Sequence, residues 1–270
     1  MLHWPIACCI ALVLWGCAHK PYSATNKAYQ KQAKRFAGTL QAQPRVESND
    51  SIRAPQSFVG TTNFSMRKPN FVIIHHTEQK SCEQTLQTFT IPRTEVSAHY
   101  VICRDGMVHH MLNDYLRAHH AGAGKWGAVT DMNSCSIGIE LDNDGKEPFP
   151  DAQIGSLISL LGQLKTRYNI PAANFIGHAD FAPARKKDPS VLFPWKQLAL
   201  QGYGLWYEQA GDSVSAEFNH LMALRVIGYD TRDSLAAFRA FKRHFMQDDS
   251  TRRINESDRR VLQRLSEQYR

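Results

Sequence analysis

Three short stretches constrain how this chain can fold more than anything else in it: VIIHHT at 72–77, SIGIELDN at 136–143 and GHADFAPARKKDP at 177–189. From them two histidines, an aspartate and a glutamate can be drawn, the kit of a catalytic zinc site. Zinc enzymes that hydrolyse amides use three protein ligands, one open position for water and a separate carboxylate that moves protons. A structural zinc site would close that fourth position.

The surrounding pattern supplies a scaffold that can bring these stretches together. Phe71 to Ile74 is continuously apolar, as expected of a central strand covered on both faces, and runs directly into His75 and His76. Ser81 followed by Gln84 is a capping-box pattern opening a helix that reaches about Ile91. His99–Cys103 and Met107–Met111 flank Arg104-Asp105-Gly106, a hairpin with Asp-Gly in its turn. Asp151 is placed to cap a long helix to about Tyr168, along which Ile154, Leu157, Ile158, Leu161 and Leu164 recur at helical spacing. Asn174–Ile176 makes a short strand that leads to His178. This alternation predicts a mixed α/β sheet with helices on its faces.

Strand geometry sorts the ionisable residues. Successive side chains point to opposite faces, so Ile137, Ile139 and Leu141 face one way while Ser136, Gly138 and Glu140 face the other. Glu140 thus leaves the apolar face beside a glycine that leaves room for a ligand; a solvated carboxylate on an exposed strand is the alternative. By the same rule His75 and His76 face opposite sides, so one joins a metal and the other packs in the core or behind the ligands. Periodicity does not choose between them. Eight of the 12 histidines lie between His75 and His178, so several are bystanders, His109, His110 and His119 among them. His178 follows the strand end at Gly177 and precedes a proline-bearing loop that reaches Asp188, and loops at strand ends let ligands converge without distorting a sheet. Lys186, on charge alone, belongs to the charged run Arg185 to Asp188 on a solvated loop.

Composition bounds the partners. A chain of 270 residues, 43% hydrophobic, has room for one sizeable core and a smaller module. A net charge of +7 favours an anionic partner: a membrane surface, a nucleic acid or a cell-wall polymer. The absence of RNP-like aromatic and basic interleaving and of paired-cysteine fingers argues for no nucleic acid. The first 17 residues, MLHWPIACCIALVLWGC, carry an apolar run well short of the roughly 20 residues of a spanning helix and read as an export signal. Residues 18–57, rich in Lys, Gln, Ser, Asn and Ala, read as a tether with helical tendency between Ala28 and Leu40. With Cys8 and Cys9 in the signal and Cys17 at its end, Cys82, Cys103 and Cys135 form an odd set in a compartment that permits disulfides. At most one bridge can form, sequence does not say which, and buried apolar thiols are the default reading.

Beyond about residue 208 the character changes. Residues 214–227, 234–246 and 256–269 carry Phe218, Leu221, Met222 and Leu224, then Leu235, Phe238, Phe241 and Phe245, then Val261, Leu262 and Leu265, all at helical intervals. This pattern reads as a compact three-helix module.

The three stretches, joined by VSAHYVICRDG at 96–106 and HAGAGKW at 120–126, closely resemble zinc-dependent N-acetylmuramoyl-L-alanine amidases of the amidase-2 type, over roughly Asn70 to Ala199. The resemblance implies an α/β peptidoglycan-recognition-protein fold, a central mixed sheet with flanking helices and a zinc groove. It implies that His75, His178 and Asp188 are the zinc ligands, choosing His75 over His76, that Glu140 is the catalytic acid/base and that Lys186 helps stabilise the transition state. It places His120 and Trp126 along the substrate groove and His99 near it, with a structural role as the alternative for His99. The expected organisation is a lipoprotein-type signal at 1–17, a tether at 18–57, a zinc amidase domain at 58–208 and a peptidoglycan-binding-like helical module at 209–270, with a structural cap as the alternative for the last. Leu14-Trp15-Gly16-Cys17 resembles a bacterial lipobox, which makes Cys17 a lipid-bearing residue; with Ala18 after it, the outer membrane facing the periplasm is the expected address. A soluble periplasmic or secreted protein with a cleaved signal is the alternative. The implied reaction is zinc-dependent hydrolysis of the amide between the lactyl group of N-acetylmuramic acid and L-alanine, in peptidoglycan or muropeptides, by a monomer engaged in cell-wall turnover or recycling. Some members of this fold bind peptidoglycan without cutting it and lack part of the zinc set, which is complete here. A zinc peptidase cutting within the stem peptide is the other enzyme class.

Overall fold

The computed structural model describes residues 21–41, 61–66, 68–207, 213–251 and 253–269. The chain divides into two compact units, Met1–Phe64 and Ser65–Arg270. The signal segment and Cys17 lie outside the described residues. In the first unit, part of the stretch read as a tether is a regular 19-residue helix, α1 (Ser23–Gln41), with no buried residue. It carries Lys27, Lys31, Lys34 and Arg35 and no acidic residue, while Tyr29, Ala33, Phe36 and Leu40 recur on the opposite face. Among the described residues no helix is long and apolar enough to cross a membrane.

The second unit is built on a five-stranded sheet. In chain order its first elements are β1 (Phe71–His76), α2 (Cys82–Thr90), β2 (Tyr100–Ile102), β3 (Val108–His110), α3 (Met132–Cys135) and β4 (Ser136–Leu141). They are followed by α4 (Asp151–Tyr168), β5 (Phe175–Gly177), α5 (His178–Phe181) and α6 (Trp195–Leu200). The strand order is β3-β2-β4-β1-β5, with β2–β3 antiparallel and the other pairs parallel, so the sheet is mixed as expected. β1, held between β4 and β5, is buried at every position, which is why its sequence is apolar without alternation up to the histidines.

Local signals act as their chemistry predicts. The Ser81 hydroxyl accepts the Gln84 N–H at 3.2 Å and caps α2, while the Gln84 side chain accepts the Lys80 N–H at 3.0 Å. The Asp105-Gly106 turn joins β2 to β3; Gly106 has φ +86°, and a Cβ there would meet the Ala152 carbonyl of α4 at 2.7 Å. Asp151 differs from expectation: it is the first residue of α4, where its charge suits the helix dipole, and Pro150 stands at the cap. Cys82 and Cys103 form a disulfide joining the start of α2 to the end of β2, and Cys135 is free. Two of the three thiols read as buried apolar groups are therefore a covalent staple.

Two cores cover the two faces of the sheet. Val72, Ile74, Ile137, Ile139 and Leu141 pack against α4 through Leu157, Leu161 and Leu164. Phe71, Ile73 and Ile176, on the other face, share a core with the C-terminal helices α7 (His220–Ile227), α8 (Ser234–Phe241) and α9 (Glu256–Gln268), through Leu224, Phe241 and Leu262. The described residues beyond 208 thus share the core of the sheet and belong to the same unit, Ser65–Arg270; the expected start of the amidase domain at 58 lies outside the described residues. The first of these helices begins at His220, capped by the Asn219 side chain on Met222 N–H at 3.0 Å, and α8 continues into a π-helical turn, Lys242–Met246.

Candidate active site

The register of the sheet builds the site. β1 and β4 pair in parallel with Phe71 opposite Ser136, Ile73 opposite Gly138 and His75 opposite Glu140, so these side chains share the face covered by the C-terminal helices. β5 lies beside β1 and ends at Gly177, which delivers His178 at the first position of α5. The chain then returns, pinned by the Ala179 N–H on the Asp188 carbonyl at 2.8 Å, and brings the Asp188 side chain back over His178.

His75, His178 and Asp188 converge. The two histidine Nδ1 atoms are 2.9 Å apart, and each lies 3.0 Å from Asp188 Oδ2. All three residues are buried. Burial first, and then the neighbouring His178, lowers the His75 pKa to about 4, so its ring is neutral at pH 7. Burial alone would raise the Asp188 carboxyl, but polar contacts with His178 and His75 hold it well below the usual carboxylate range. Three lone-pair atoms this close repel one another unless a proton or a cation lies among them. The donor set of two imidazoles and one ionised carboxylate fits a divalent metal ion. His178 is braced for that role, because its Nε2–H donates to the Ala121 carbonyl at 2.8 Å and leaves Nδ1 as the open donor. A second grouping, Cys82, Cys103 and His109, is spent on the disulfide.

Glu140 stands next to this cluster, Oε1 4.0 Å from His75 Nδ1, and its buried Oε2 has no hydrogen-bond partner. Burial, then the charge of Asp188, raises its carboxyl to about 8, while Lys186 opposes the rise. The Lys186 charge also acts on His75, which places this half-buried side chain beside the cluster rather than on a purely solvated loop. His76 faces the other way, as strand geometry requires, and its Nδ1 accepts the Ser190 N–H at 3.2 Å just past Asp188.

The model of the family described as "N-acetylmuramoyl-L-alanine amidase" matches residues 65–191. The chain is also similar to the N-acetylmuramoyl-L-alanine amidase AmiD of Escherichia coli K12, at 30% identity over 90% of this chain and 88% of that one. The chain belongs to the N-acetylmuramoyl-L-alanine amidase family. It is an enzyme that hydrolyses the bond between N-acetylmuramic acid and L-alanine. Among solved structures, the complex of E. coli AmiD with anhydro-N-acetylmuramic acid-L-Ala-D-γ-Glu-L-Lys matches with a TM-score of 0.68 at 28% identity, covering 83% of this chain and 98% of that one. AmpDh3 of Pseudomonas aeruginosa matches with a TM-score of 0.69 at 25% identity, covering 83% and 99%.

Not every residue expected at the amidase groove is open to it. His99 is fully buried, its Nδ1 accepting the Gly138 N–H at 3.0 Å and its Nε2 3.1 Å from the Leu116 carbonyl. Trp126 is buried against Tyr229, with ring centroids 4.9 Å apart, and so joins the loop ahead of α3 to the segment between α7 and α8. His120 lies behind His75, with its ring nitrogens 3.0 Å from His75 Nε2 and 3.1 Å from Ser136 Oγ. Gly138, read as leaving room for a ligand, leaves room for this ring: a Cβ would sit 2.4 Å from His120 Cγ. Arg185 was passed over among its charged neighbours, yet its guanidinium holds the Ala121 and Ala123 carbonyls at 2.7 and 2.6 Å. A sequence shows that such residues are polar; only the packing shows which of them face inward.

Proposed function

We propose that this amidase acts with a zinc ion held by His75, His178 and Asp188, with Glu140 as its general acid/base and Lys186 as the charge that stabilises the transition state. The convergence of the three donor atoms within 3.0 Å beside a carboxylate with an unpartnered oxygen carries this reading. A zinc ion in that position would supply Lewis-acid polarisation and make water a usable nucleophile near neutral pH. The chain's own groups then divide the proton and charge work. Glu140 Oε accepts the proton of the attacking water and returns it to the alanine nitrogen as the amide bond breaks. Its buried setting excludes competing hydrogen-bond partners, so the carboxylate is free for the water. The Lys186 ammonium offsets the negative charge that develops on the lactyl carbonyl oxygen.

We further infer a muropeptide or peptidoglycan substrate, supported by similarity to AmiD and AmpDh3, whose structures include complexes with an anhydromuramoyl tripeptide derivative and an anhydromuramic pentapeptide. Lipidation at Cys17 and an outer-membrane address facing the periplasm complete the proposal. The character of α1 supports it: four cations without an anion, opposite an apolar stripe, suit the anionic surface of a membrane. A monomer is the proposed working form.

The test is mass spectrometry of products after muramoyl peptides are incubated with the chain from Ala18 onward, with and without a chelator. Chelator-sensitive release of an intact stem peptide that begins with L-alanine is expected. Cuts within the stem, or substrate bound and uncut, would defeat the reading.

A further inference from the structure

Behind the three donor atoms a line of hydrogen bonds runs back into the protein. His75 Nε2 lies 3.0 Å from His120 Nδ1, His120 Nε2 lies 3.1 Å from Ser136 Oγ, and the Ser136 hydroxyl donates to the Met132 carbonyl at 2.5 Å. A carbonyl only accepts, so this last bond commits the Ser136 proton and leaves its oxygen to accept. His120 Nε2 must then be the donor to Ser136. In the neutral ring, His120 Nδ1 is the acceptor, and His75 carries its proton on Nε2. The lone pair of His75 Nδ1 is left facing His178 and Asp188. A main-chain carbonyl thus sets the direction of every proton along the line.

The His120 ring is held for this task from several sides. Asn133 Oδ1 accepts the N–H groups of both His120 and Ala121, at 3.1 and 2.9 Å. The ring sits over Gly138, where no side chain could be tolerated, and meets His75 edge to face at 5.2 Å. Ser136 and Gly138 alternate with core residues on β4, so the strand that presents Glu140 also carries the support of His75. The reverse orientation, with the proton on His75 Nδ1, would block that nitrogen as a metal donor.

We propose that His120 is a positioning residue: through Ser136 and the Met132 carbonyl it fixes His75 as the Nε2–H tautomer, presents Nδ1 to the metal and thereby sets the affinity of the site. This rests on the reading of His75, His178 and Asp188 as zinc ligands. It moves His120 from the substrate groove to the metal's supporting layer, where partners of this kind govern affinity.

The experiment measures zinc affinity of the whole chain by competition with a chromophoric chelator, for the wild type, His120→Leu, His120→Asn and Ser136→Ala. His120→Leu removes the acceptor, and zinc binding is expected to weaken by about 10–100-fold. His120→Asn offers an amide oxygen close to the place of Nδ1 and is expected to bind zinc close to the wild-type level, with Ser136→Ala between the two. In the zinc-free chain, ring ¹⁵N shifts should show His75 as a single Nε2–H tautomer in the wild type and the Asn variant, and as a mixture in the Leu variant. Wild-type zinc affinity in His120→Leu, or an equal loss in both His120 variants, would overturn the proposal. Failure of the wild type to bind one equivalent of zinc would instead overturn the metal reading beneath it.

Discussion

His75 and His178 meet Nδ1 to Nδ1 at 2.9 Å, each with its other ring nitrogen already engaged, by His120 and by the Ala121 carbonyl. Rings held that way have little freedom to turn their donors elsewhere, so the site is preorganised for a cation. Dialysis against a chelator is expected to abolish turnover and added zinc to restore it, with one equivalent found by elemental analysis. His178→Ala should lose that stoichiometric metal; a variant that keeps it would remove His178 from the ligand set.

Glu140→Gln keeps the shape of the site and removes the proton acceptor. Zinc should remain bound while kcat falls by about 10²–10⁴-fold. The same variant tests the electrostatics in the zinc-free protein, where the Glu140 carboxyl is raised to about 8 from its ordinary 4.5. A raised carboxyl binds its proton more tightly when folded, so its contribution is undiminished below pH 4.5 and is lost as pH rises towards 8. Glu140→Gln should therefore melt near the wild-type temperature at acid pH and be more stable by a few kcal/mol (~) above pH 8 when zinc-free. Parallel pH profiles of the two proteins would contradict it.

Lys186→Met preserves length and removes charge. Stabilisation of charge that exists only in the transition state appears in kcat rather than KM, so a loss of roughly 10–10³-fold in kcat with KM little changed is expected from steady-state kinetics. Lys187→Met, one residue along, should be close to wild type. If the two variants behave alike, Lys186 is merely part of a solvated charge run.

Legibility in the sequence followed the range of the interactions. The strand holding Glu140 could be drawn residue by residue because alternation is a local property, and each of the five observed strands overlaps a stretch read as strand, with β1 running past Ile74 to His76 and β5 past Ile176 to Gly177. The partition of His75 from His76 was also local, but strand geometry left open which of them faced the metal; the family resemblance chose His75, and the register that sets it opposite Glu140 is a relation across 65 residues. The disulfide depended on α2 lying beside β2, which no spacing of cysteines encodes. The inward turn of His99, His120 and Trp126 was hidden for the same reason. Each is polar or amphipathic and lies in a motif, yet each is satisfied by a partner distant in sequence.

The Cys82–Cys103 bridge closes a loop with a sequence separation of 21 residues around α2. On the chain-entropy account, a loop of this length contributes about 3 kcal/mol. Changing both cysteines to serine should lower the melting temperature by roughly 6–12 °C in a domain of this size. Activity at low temperature should persist, since neither sulfur takes part in the donor cluster. A melting temperature unchanged by the double substitution would show that the bridge adds nothing to the folded domain.

The C-terminal helices bear on the metal site through Asp180, two residues after His178. Its Oδ1 accepts the Tyr229 hydroxyl at 2.8 Å, and its Oδ2 accepts the Gly177 N–H at 2.7 Å and pairs with His244 Nδ1 at 2.8 Å. His244 in turn stacks on Trp195, ring centroids 3.9 Å apart. α5 is thereby clamped between β5 and residues 229 and 244, in a core that also takes in Phe71 and Ile73 of β1. A detachable wall-binding module would leave the amidase intact when removed. Truncation after Tyr207 should instead expose that sheet face, at about 1.5–3 kcal/mol for each large apolar side chain uncovered, more than a domain of ordinary stability can lose. Tyr229→Phe is the finer probe: it leaves a buried carboxylate oxygen without its partner and is expected to cost about 1–3 kcal/mol and to weaken zinc binding through His178. Thermal melts and soluble-substrate turnover of the two variants decide the matter, and a truncated chain that melts and turns over like the whole would show the helices to be an appendage.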